Sequence, residues 1–589
     1  MCGICGIFNV SGEHPVDASV LAQMNHLLSH RGPDGEGVYI HSRIGLGHRR
    51  LSIIDIHNGQ QPMCNEDEML WVTYNGEIYN FAELKKDLLQ KGHIFKTDCD
   101  TEVIIHAYEE YGEDCVHKFN GMFAFALWDQ RREQLFLARD RLGVKPLYYT
   151  LADGQLIFAS EIKAILAHPA VKAEVEPGAI PEYLFCTVLL DGGTMFRNIH
   201  SLAPGHTMKV EGMYYRPKPY WDIQADQEKW NDRSQKLWMD ETLSLMEDSV
   251  RLRQISDVPF GALLSGGLDS SLLSAIAQSE MDDKLRTFSM EYGANRNGIN
   301  SDVTFSRLMA ARLGTQHTEY IFNPEDYRDI LENVTWHMEK PVELTTPSLF
   351  LLYREIKKDV SVVISGEGAD ELFGGYYFFL KDDYSGPILQ FPWAPYYQEV
   401  SGLLDPAVEQ KTGFHEKVQS TIHQSLNRFK SSDSLNRVLY LFMKYYLLEM
   451  LERQDKTSMA SGVEVRVPFL DYRMVECIMN LPSGYKVRDH TEKWFLKQIS
   501  RPLLPVEVVD RKKKPFPFPI DPKSIVSQRE LAIELLTSGN SKVSSYFDKK
   551  KTCDFLNKRG AYRGLDSLAV FRTSHALIAL ELWHKTFGV

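Results

Sequence analysis

The chain has 589 residues, which exceeds one ordinary domain and excludes a small binding module. Apolar residues make up 43% of the chain, charged residues 25% and aromatic residues 11%, a composition typical of globular domains that excludes a disordered or fibrous protein. The formal net charge of −13 disfavours a general binder of polyanions and restricts any phosphate site to a compact pocket. We therefore expect two large domains and no nucleic-acid partner.

The eight cysteines are too sparse for a disulfide framework, so a reducing, cytoplasmic location is expected. Cys2 and Cys5 are compatible with half of a metal site, but no second Cys or His pair at ligand spacing follows them. The first residues carry no basic segment followed by an apolar stretch, and no apolar run reaches about 18 residues. Neither secretion nor a membrane partner is expected.

The first part of the chain, to about Val210, consists of short apolar runs separated by Gly, Asn and Asp, which predicts strands and tight turns. The clearest predicted strands are residues 121–128, 135–138 and 156–159, and helical spacing occurs over residues 82–91 and 102–111. Residues 211–232 begin with a Pro-Lys-Pro segment and continue as a polar run, so they are the predicted linker.

The chain after the linker alternates apolar strands with helices, which predicts a parallel sheet covered on both faces. The predicted strands are residues 258–264, 287–292 and 360–364, and the predicted helices between them are residues 305–313 and 349–357. Beyond Asp382 the pattern is mainly helical and ends in a long helix over residues 565–584.

The sequence Leu-Ser-Gly-Gly-Leu-Asp-Ser-Ser at residues 264–271 lies where a buried strand meets a helix. Its glycines allow close approach of a ligand, and its hydroxyls and the helix N-terminus supply donors for an anion. Asp269 adds negative charge to such a phosphate cradle, so we expect a Mg²⁺ ion between Asp269 and the phosphate oxygens. A Gly/Ser-rich helix cap is the alternative.

A second glycine-rich loop, residues 365–371, ends another buried strand and carries Glu367, Asp370 and Glu371. Loops at the carboxyl ends of parallel strands line one crevice, so the two loops are predicted to face one site. A metal or a polar substrate would offset the repulsion among these carboxylates, whereas a solvated acidic turn is the alternative.

Cys2 becomes the terminal residue once Met1 is removed, and its free amino group can then act as a general base for its own thiol. A nucleophilic cysteine needs donors for the oxyanion of its intermediate, and Asn75 and Gly76, at the end of an apolar run, can supply them. Taken alone, Cys2 is more often an incidental core thiol.

Two resemblances favour the catalytic interpretation. Residues 1–6, 30–34, 48–55, 75–77 and 139–148 together resemble the class II glutamine amidotransferase domain, and the two glycine-rich loops resemble the nucleotide pyrophosphatase type of ATP-binding domain. The pair in this order resembles the glutamine-hydrolysing asparagine synthetases, a ligase family. The resemblance implies an α+β and α/β two-domain fold: an N-terminal-nucleophile-type β-sandwich with helices, layered αββα, and a parallel-sheet α/β domain with a helical C-terminal part. The expected boundaries are 1–210 for the glutaminase domain, 211–232 for the linker and 233–589 for the synthetase domain.

The same resemblance assigns roles in the glutaminase half. Cys2 is the nucleophile, Asn75 and Gly76 form the oxyanion hole, Arg50 pairs with the glutamine α-carboxylate and Glu77 helps to fix the substrate. For the α-ammonium group, Asp100 matches best and Asp98 remains open. The full set expected to bind glutamine is Arg50, Leu51, Ser52, Ile53, Ile54, Asn75, Gly76, Glu77 and Asp100.

In the synthetase half, the resemblance implies that Asp269 and Asp370 hold Mg²⁺ and pyrophosphate, and that Glu367 acts in the acyl-adenylate step. Lys493 matches a lysine that neutralises charge at the α-phosphate, with an ordinary basic helix face as the alternative. The expected ATP-binding residues are Leu264, Ser265, Gly266, Gly267, Asp269, Ser270, Ser271, Met290, Ser365, Gly366 and Lys493. The basic run at residues 511–514 is interpreted as surface or as a lid over the phosphates.

The implied reaction is the ATP-dependent amidation of aspartate by glutamine through a β-aspartyl-AMP intermediate, with an apolar passage for ammonia. Glutamine, aspartate and ATP are the expected partners, and a homodimer is the protein assembly considered. One rival is a related amidotransferase acting on another carboxylate, because the unfamiliar segment 293–300 lies near the nucleotide site. A second rival, a glutaminase joined to a noncatalytic domain, is disfavoured by Asp269, Glu367 and Asp370.

Overall fold

The structure, a computed structural model, describes residues 2–10, 15–212, 214–225, 233–292, 302–323, 329–380, 398–512, 522–557 and 565–589. Segment 293–300, invoked for acceptor choice, lies outside the described residues. The helices in chain order are α1 Ala18–His26, α2 Phe81–Gln90, α3 Asp100–Tyr111, α4 Ile162–Leu166, α5 Ala179–Cys186, α6 Gln235–Leu252, α7 Leu268–Ser279, α8 Asp302–Leu313, α9 Leu331–Met338, α10 Thr346–Ile356, α11 Ala369–Phe373, α12 Gln398–Ser401, α13 Pro406–Thr412, α14 Phe414–Arg428, α15 Ser434–Leu441, α16 Leu447–Met459, α17 Tyr472–Met479, α18 Ser483–Lys486, α19 Trp494–Ser500, α20 Val506–Val509, α21 Pro522–Thr537, α22 Lys549–Leu556 and α23 Leu565–Phe587.

The N-terminal part contains two antiparallel six-stranded sheets. The strands are β1 Gly3–Asn9, β2 Gly35–His41, β3 Ile44–Arg50, β4 Met63–Cys64, β5 Leu70–Ile78, β6 Gly121–Asp129, β7 Gln134–Arg139, β8 Tyr148–Ala152, β9 Gln155–Ala159, β10 His200–Ser201, β11 His206–Glu211 and β12 Tyr214–Pro219. The first sheet has the order β10-β8-β9-β1-β3-β2, and the second has the order β12-β11-β7-β6-β5-β4.

Strand β6 shows why this part is layered as helix, sheet, sheet and helix. Ala124, Ala126 and Trp128 point into a core shared with Phe8 of the other sheet. The alternate residues of β6 pack against α2 and α3, in a core that includes Phe123. Because successive side chains of a strand point to opposite faces, burial on both sides makes β6 apolar throughout. The predicted αββα sandwich is confirmed.

The C-terminal part contains a parallel sheet with the order β15-β14-β13-β16-β17. Its strands are β13 Phe260–Leu263, β14 Arg286–Tyr292, β15 Gln316–Phe322, β16 Val362–Ile364 and β17 Glu464–Arg466. Helices α7 and α8 pack on one face and α10 on the other. The chain moves from β13 to β14 on one side and later returns to β16 on the other, so the loops after β13 and β16 meet at the topological switch point.

The predicted parallel-sheet domain is confirmed, with one correction to its helical C-terminal part. Strand β17 lies within the region predicted to be mainly helical. It is only three residues long, and two of the three, Glu464 and Arg466, are charged, so its apolar signal is short. The first residues of the predicted linker, 211–232, include strand β12, which pairs with β11 over residues 206–219. The domain boundary itself stays a prediction. Within the described residues, no helix is long and apolar enough to cross a membrane.

The N-terminal and C-terminal parts meet through buried charged side chains. Arg31 donates to Asp455 at 2.8 Å and to Glu161 at 2.9 Å, and its side chain is fully buried. Further ion pairs join Lys163 to Glu339 and, within the C-terminal part, Lys456 to the same Glu339. Buried charges need such partners because an unpaired ion in a low-dielectric interior costs several kcal/mol, roughly. The two parts are therefore held in one relative position by specific pairs.

Candidate functional site

Cys2 lies immediately before β1 and is buried. Its backbone nitrogen donates a hydrogen bond to Asn75 Oδ1 over 3.0 Å, and its carbonyl accepts one from Arg31 Nε over 3.1 Å. Asn75 Nδ2 is buried and has no hydrogen-bond partner among the described residues. One amide side chain thus orients the nitrogen of Cys2 through its oxygen and keeps a donor available for another group.

Burial raises the pKa of the Cys2 thiol, while a backbone hydrogen bond from Leu51 and the charge of Arg50 oppose that effect. A thiol with a raised pKa is protonated near neutral pH, so it needs a base before it can attack a carbonyl. The nitrogen of the same residue is the nearest such base once it is a free amine. Leu51, one of the residues expected to bind glutamine, thus lies beside the thiol.

Arg50 ends β3 and shapes the loop that follows it. Its guanidinium donates to the carbonyl oxygens of Ile54, Asp55 and Ile56, with distances from 2.7 to 3.3 Å. The neighbouring Ser52 N–H donates to Asp34 Oδ2 over 2.8 Å. Ile53 is buried, and its carbonyl accepts from Asp257 of the C-terminal part over 2.9 Å. Residues 51–54 thus form the loop after β3, and Arg50 and Leu51 of this segment lie near the Cys2 thiol.

Asp98 and Asp100, the two aspartates left open by the sequence, occupy different environments. The Asp98 side chain is 91% exposed and pairs with Lys85. Asp100 is buried and accepts hydrogen bonds from Tyr74 Oη and the Ile78 N–H group, both at 2.9 Å. Burial raises the pKa of Asp100, and these hydrogen bonds act against the rise. Only Asp100 reaches strand β5, which carries Asn75.

Glu77 follows Asn75 and Gly76 on β5 and is also buried. Its carboxylate lies 3.4 Å from Arg466, which β17 of the C-terminal sheet contributes. Burial and the neighbouring Glu464 raise the pKa of Glu77, whereas Arg466 counteracts them. Strand β5 of the N-terminal part therefore contacts the parallel sheet of the C-terminal part directly through this ion pair.

The loop after β13 is a tight turn whose backbone packs closely against another segment of the chain. Gly266 has a φ of 74°, and a Cβ atom there would lie 2.4 Å from Ser306 N, so only glycine fits. Ser265 Oγ lies 3.1 Å from Ser270 Oγ and 3.4 Å from Gly267 N. The hydroxyls and the start of α7 thus surround the same short loop.

The two glycine-rich loops touch. A Cβ atom on Gly366 would lie 3.1 Å from Asp269 Cβ, and Lys493 joins the two loops from outside the sheet. Lys493 Nζ lies 2.6 Å from Asp269 Oδ2 and 2.7 Å from Asp370 Oδ1. A Cβ atom on Gly375 would overlap with both Asp370 Oδ1 and Lys493 Cε. Lys493 is buried in a left-handed conformation, with φ of 51°, and is not part of an exposed basic helix face.

The remaining expected ATP residues surround this crevice. Leu264 N–H donates to Phe288 O on the adjacent strand, and Ser365 N–H donates to Arg466 O. Met290 and Ser271 are buried nearby, Met290 on β14 and Ser271 on α7. Gly267 is the residue before the first turn of α7.

Comparison with known proteins matches a different protein family to each part of the chain. Residues 1–221 match the glutamine amidotransferase domain family, and residues 241–585 match the asparagine synthase family. The glutamine-hydrolyzing asparagine synthetase 3 of Bacillus subtilis (strain 168) is 35% identical over 588 residues, covering 95% of this chain and 94% of that protein. The chain belongs to the asparagine synthase family.

One further relative and one solved structure are also similar to this chain. Glutamine-hydrolyzing asparagine synthetase 1 of the same organism is 33% identical over 570 residues, covering 88% of this chain and 87% of that protein. The solved structure of glutamine phosphoribosylpyrophosphate amidotransferase from B. subtilis is 15% identical, with a TM-score of 0.29, and covers 54% of this chain and 65% of that chain.

The second glycine-rich loop carries three carboxylates close together. Burial raises the pKa of Glu371 to about 7, and the neighbouring Asp370 and Glu367 add to the rise. The charge of Glu367 also acts on the buried Tyr353 and on Arg453, which α16 contributes. Arg453 donates to Thr345 Oγ1 over 2.5 Å. Glu367 therefore interacts electrostatically with an arginine outside its own loop.

Three arginines touch this machinery; sequence reasoning gave Arg31 and Arg466 no individual role and interpreted Arg511 only as part of a surface run or lid. Arg31 holds the Cys2 carbonyl, Arg466 pairs with Glu77, and Arg511 Nη1 donates to Gly266 O over 3.2 Å. Arg511 belongs to the basic run interpreted as a surface or a lid, and its contact favours the lid. The partners of Arg31 and Arg466 lie far away in sequence, so residue spacing could not have indicated these contacts. The position of each arginine within a recognisable string is the signal that could have indicated it.

Proposed function

We propose that the chain is an ATP-dependent, glutamine-hydrolysing asparagine synthetase. One spatial observation carries the proposal: Leu51, beside the Cys2 thiol, and Leu264, at the start of the phosphate loop, belong to one continuous apolar cluster. A cluster of this kind excludes water between a glutaminase site and a nucleotide site. Ammonia must stay unprotonated to act as a nucleophile, so an apolar connection is what this pair of sites requires.

In the glutaminase half, the free α-amine of Cys2 takes the thiol proton, and the sulfur attacks the side-chain carbonyl of glutamine. The oxygen of that carbonyl gains negative charge, and Asn75 Nδ2 and the Gly76 N–H group donate to it. Collapse of the intermediate releases ammonia and leaves a thioester with Cys2, which water hydrolyses to glutamate. The unpartnered Nδ2 atom supports Asn75 in this role.

Recognition of the amino-acid end of glutamine requires one cation and one anion. We assign the α-carboxylate to the Arg50 guanidinium and the α-ammonium to Asp100, with Glu77 fixing the substrate. The buried position of Asp100 beside β5 supports it over the exposed Asp98. Residues 51–54 complete the wall of the pocket.

In the synthetase half, the β-carboxylate of aspartate attacks the α-phosphorus of ATP, which forms β-aspartyl-AMP and releases pyrophosphate. Ammonia then attacks the acyl carbon, and AMP departs. Leu264, Gly266, Met290 and Gly366 form the nucleotide side of the crevice, and Lys493 offsets charge at the phosphates. Glu367, whose charge acts on Arg453, is proposed to take the proton that the attacking ammonia loses.

Asp269 and Asp370 are proposed to hold Mg²⁺. The donor set fits, because two carboxylates converge on Lys493 and Asp269 Oδ1 is buried without a hydrogen-bond partner among the described residues. Hard oxygen ligands of this type are what Mg²⁺ prefers, and the bound ion would neutralise the phosphate oxygens. Without it, Lys493 already supplies one positive charge between the two aspartates.

Measurement of glutamine-dependent AMP and asparagine formation tests the proposal. Equal amounts of both are expected, and a folded enzyme that forms neither would refute it. The rival acceptor is separated by ATP–pyrophosphate exchange across a panel of carboxylic acids. Aspartate should support exchange best, and faster exchange with another acid would transfer the same chemistry to that acid.

The proposal extends to organisation and location. We keep the boundaries at residues 1–210, 211–232 and 233–589, although β12 places the start of the linker inside a sheet. All eight cysteines are free, which supports a reducing, cytoplasmic location. A homodimer remains a prediction, and neither nucleic acid nor a membrane is proposed as a partner.

A further inference from the structure

A group of metal-ligating side chains lies outside both proposed sites. His93, in the loop between α2 and α3, and His106 and Glu109, both on α3, each place one donor atom within 4.8 Å of the others. His106 and Glu109 are three residues apart, so they share one face of the helix. Neither family resemblance nor the proposed reaction uses any of these three residues.

The donor atoms converge on one point. His106 Nδ1 lies 2.7 Å and His93 Nδ1 lies 3.3 Å from the same oxygen, Glu109 Oε2. Bond lengths of about 2.0–2.1 Å place neighbouring ligands of a tetrahedral zinc ion about 3.3 Å apart. A small shift of the Glu109 carboxylate therefore creates the space that such an ion needs, without any movement of the backbone.

The opposite ends of the three side chains are held by further polar groups. Glu110 Oε2 lies 3.4 Å from His93 Nε2, and Glu102 Oε1 lies 3.7 Å from His106 Nε2. Asn65 Nδ2 donates to the other oxygen of Glu109 over 2.8 Å. Metal-binding histidines in proteins typically present their second nitrogen to a carboxylate, which fixes the ring and the tautomer. Glu110 is placed to do this for His93, whereas Glu102 lies near His106 Nε2 without a hydrogen bond to it among the described residues.

The local charge also favours a cation. Three carboxylates, those of Glu102, Glu109 and Glu110, surround the two imidazoles, and Lys91 pairs with only one of them, at 2.9 Å. His106 is 1% exposed, and its Nε2 atom has no hydrogen-bond partner among the described residues.

We propose that His93, His106 and Glu109 bind one divalent transition-metal ion of the zinc type, through two Nδ1 atoms and one carboxylate oxygen. Glu109 reaches the surface, so a water molecule completes the coordination. The ion ties the α2–α3 loop to α3. Because Asp100 is the first residue of α3, the site is structural support for the segment that carries the proposed glutamine ligand.

The test uses the full-length protein after removal of metals with a chelator and dialysis. Titration with Zn²⁺, followed by calorimetry, should show about one equivalent bound at this site. Substitution with Co²⁺ should produce visible d–d bands of a tetrahedral site without a thiolate charge-transfer band, which separates this site from any cysteine site. His93→Ala and Glu109→Gln should each weaken binding by at least tenfold, roughly, because each removes a ligand.

His117→Ala and Glu113→Gln are the matched controls, because both side chains are nearby, more exposed and outside the cluster. They should bind Zn²⁺ as the unmodified protein does. The proposal is overturned if the unmodified protein takes up no Zn²⁺, if the Co²⁺ spectrum shows thiolate ligation, or if His93→Ala and Glu109→Gln bind as tightly as the controls. None of these readouts depends on asparagine formation, so failure here leaves the proposed function standing.

Discussion

The backbone nitrogen of Cys2 lies 3.0 Å from Oδ1 of Asn75. This contact uses the oxygen of the amide and leaves its nitrogen, which is buried without a partner among the described residues, as a donor. One side chain therefore serves the base and the oxyanion at the same time. The consequence is that the two functions can be separated by an isosteric change.

Asn75→Asp retains an oxygen for the amine of Cys2 and removes the Nδ2 donor. We expect kcat for glutamine hydrolysis to fall by roughly 10²–10³, because one oxyanion donor is worth that much. The KM for glutamine should change little, and synthesis from added ammonium should be unaffected. A comparable loss of ammonium-dependent synthesis would show that Asn75 acts on folding and not on the oxyanion.

Lys493→Met removes the cation between Asp269 and Asp370. The two carboxylates then repel each other and the phosphates lose a partner, so ATP–pyrophosphate exchange should fall by about 10²-fold or more. Glutamine hydrolysis should persist. Lys497→Met, one helical turn further on and paired with Glu492, is the matched control and should retain exchange. Equal losses in the two variants would contradict the role of Lys493.

Gly375→Ala tests the close packing around the same lysine. The new methyl group would overlap with Asp370 and Lys493, so both must move, and ATP–pyrophosphate exchange should fall at least tenfold, roughly. At Gly484 a Cβ atom meets nothing within 4 Å, so Gly484→Ala should be neutral. Full activity of Gly375→Ala would mean that Lys493 does not need its present position.

Lys486 allows a prediction about pH and stability. Burial lowers its pKa to about 7, against weaker opposing effects of Asp433 and Cys477. Its folded pKa lies below the unfolded value of 10.5, so the unfolded chain binds more protons between pH 7 and 10.5 and stability rises with pH in that window. The penalty is complete below pH 7 and amounts to several kcal/mol, at about 1.4 kcal/mol per pH unit.

Lys486→Met removes this penalty and also leaves Asn436 Oδ1 without its partner, which costs about 1–3 kcal/mol. The difference in Tm between the variant and the unmodified chain should therefore be most favourable to the variant near pH 6.5 and should decline toward pH 9.5. Calorimetric melts at matched scan rate measure it. A difference that does not change with pH would show that Lys486 is not held with a lowered pKa.

Local patterns in the sequence predicted strands and turns in the first part and a parallel sheet in the second, whereas the αββα sandwich followed from the family resemblance. The structure contains the two sheets of the sandwich and the parallel sheet. Strand β17 was missed although Val463, Val465 and Val467 alternate with Glu464 and Arg466 at the period of a strand. The two charged residues are buried because they pair with each other and Arg466 also pairs with Glu77, and the sequence alone does not show the pair with Glu77.

The residues of the candidate site also fall into two groups, those that local strings indicate and those that only tertiary packing brings together. Glycine-rich loops and the N-terminal cysteine are local strings, and they indicated most of the residues that converge. Asp98 and Asp100 occur in one short polar segment, and the resemblance favoured Asp100 without excluding Asp98. The burial of Asp100 supports that preference. The contact of Lys493 with two distant loops, and the contacts of Arg31 and Arg466 between the two parts, follow from tertiary packing alone.

The central claim is that one chain transfers the amide nitrogen of glutamine to aspartate through two connected sites. The most direct measurement supplies glutamine labelled with ¹⁵N in its side-chain amide, together with aspartate, ATP, Mg²⁺ and unlabelled ammonium, to the unmodified enzyme and to Cys2→Ala. We predict ¹⁵N-labelled asparagine from the unmodified enzyme, with AMP equal to the total asparagine formed, and only unlabelled asparagine from Cys2→Ala. Labelled asparagine from Cys2→Ala, or neither AMP nor asparagine from the folded unmodified enzyme, would contradict transfer of the glutamine nitrogen through Cys2 to aspartate.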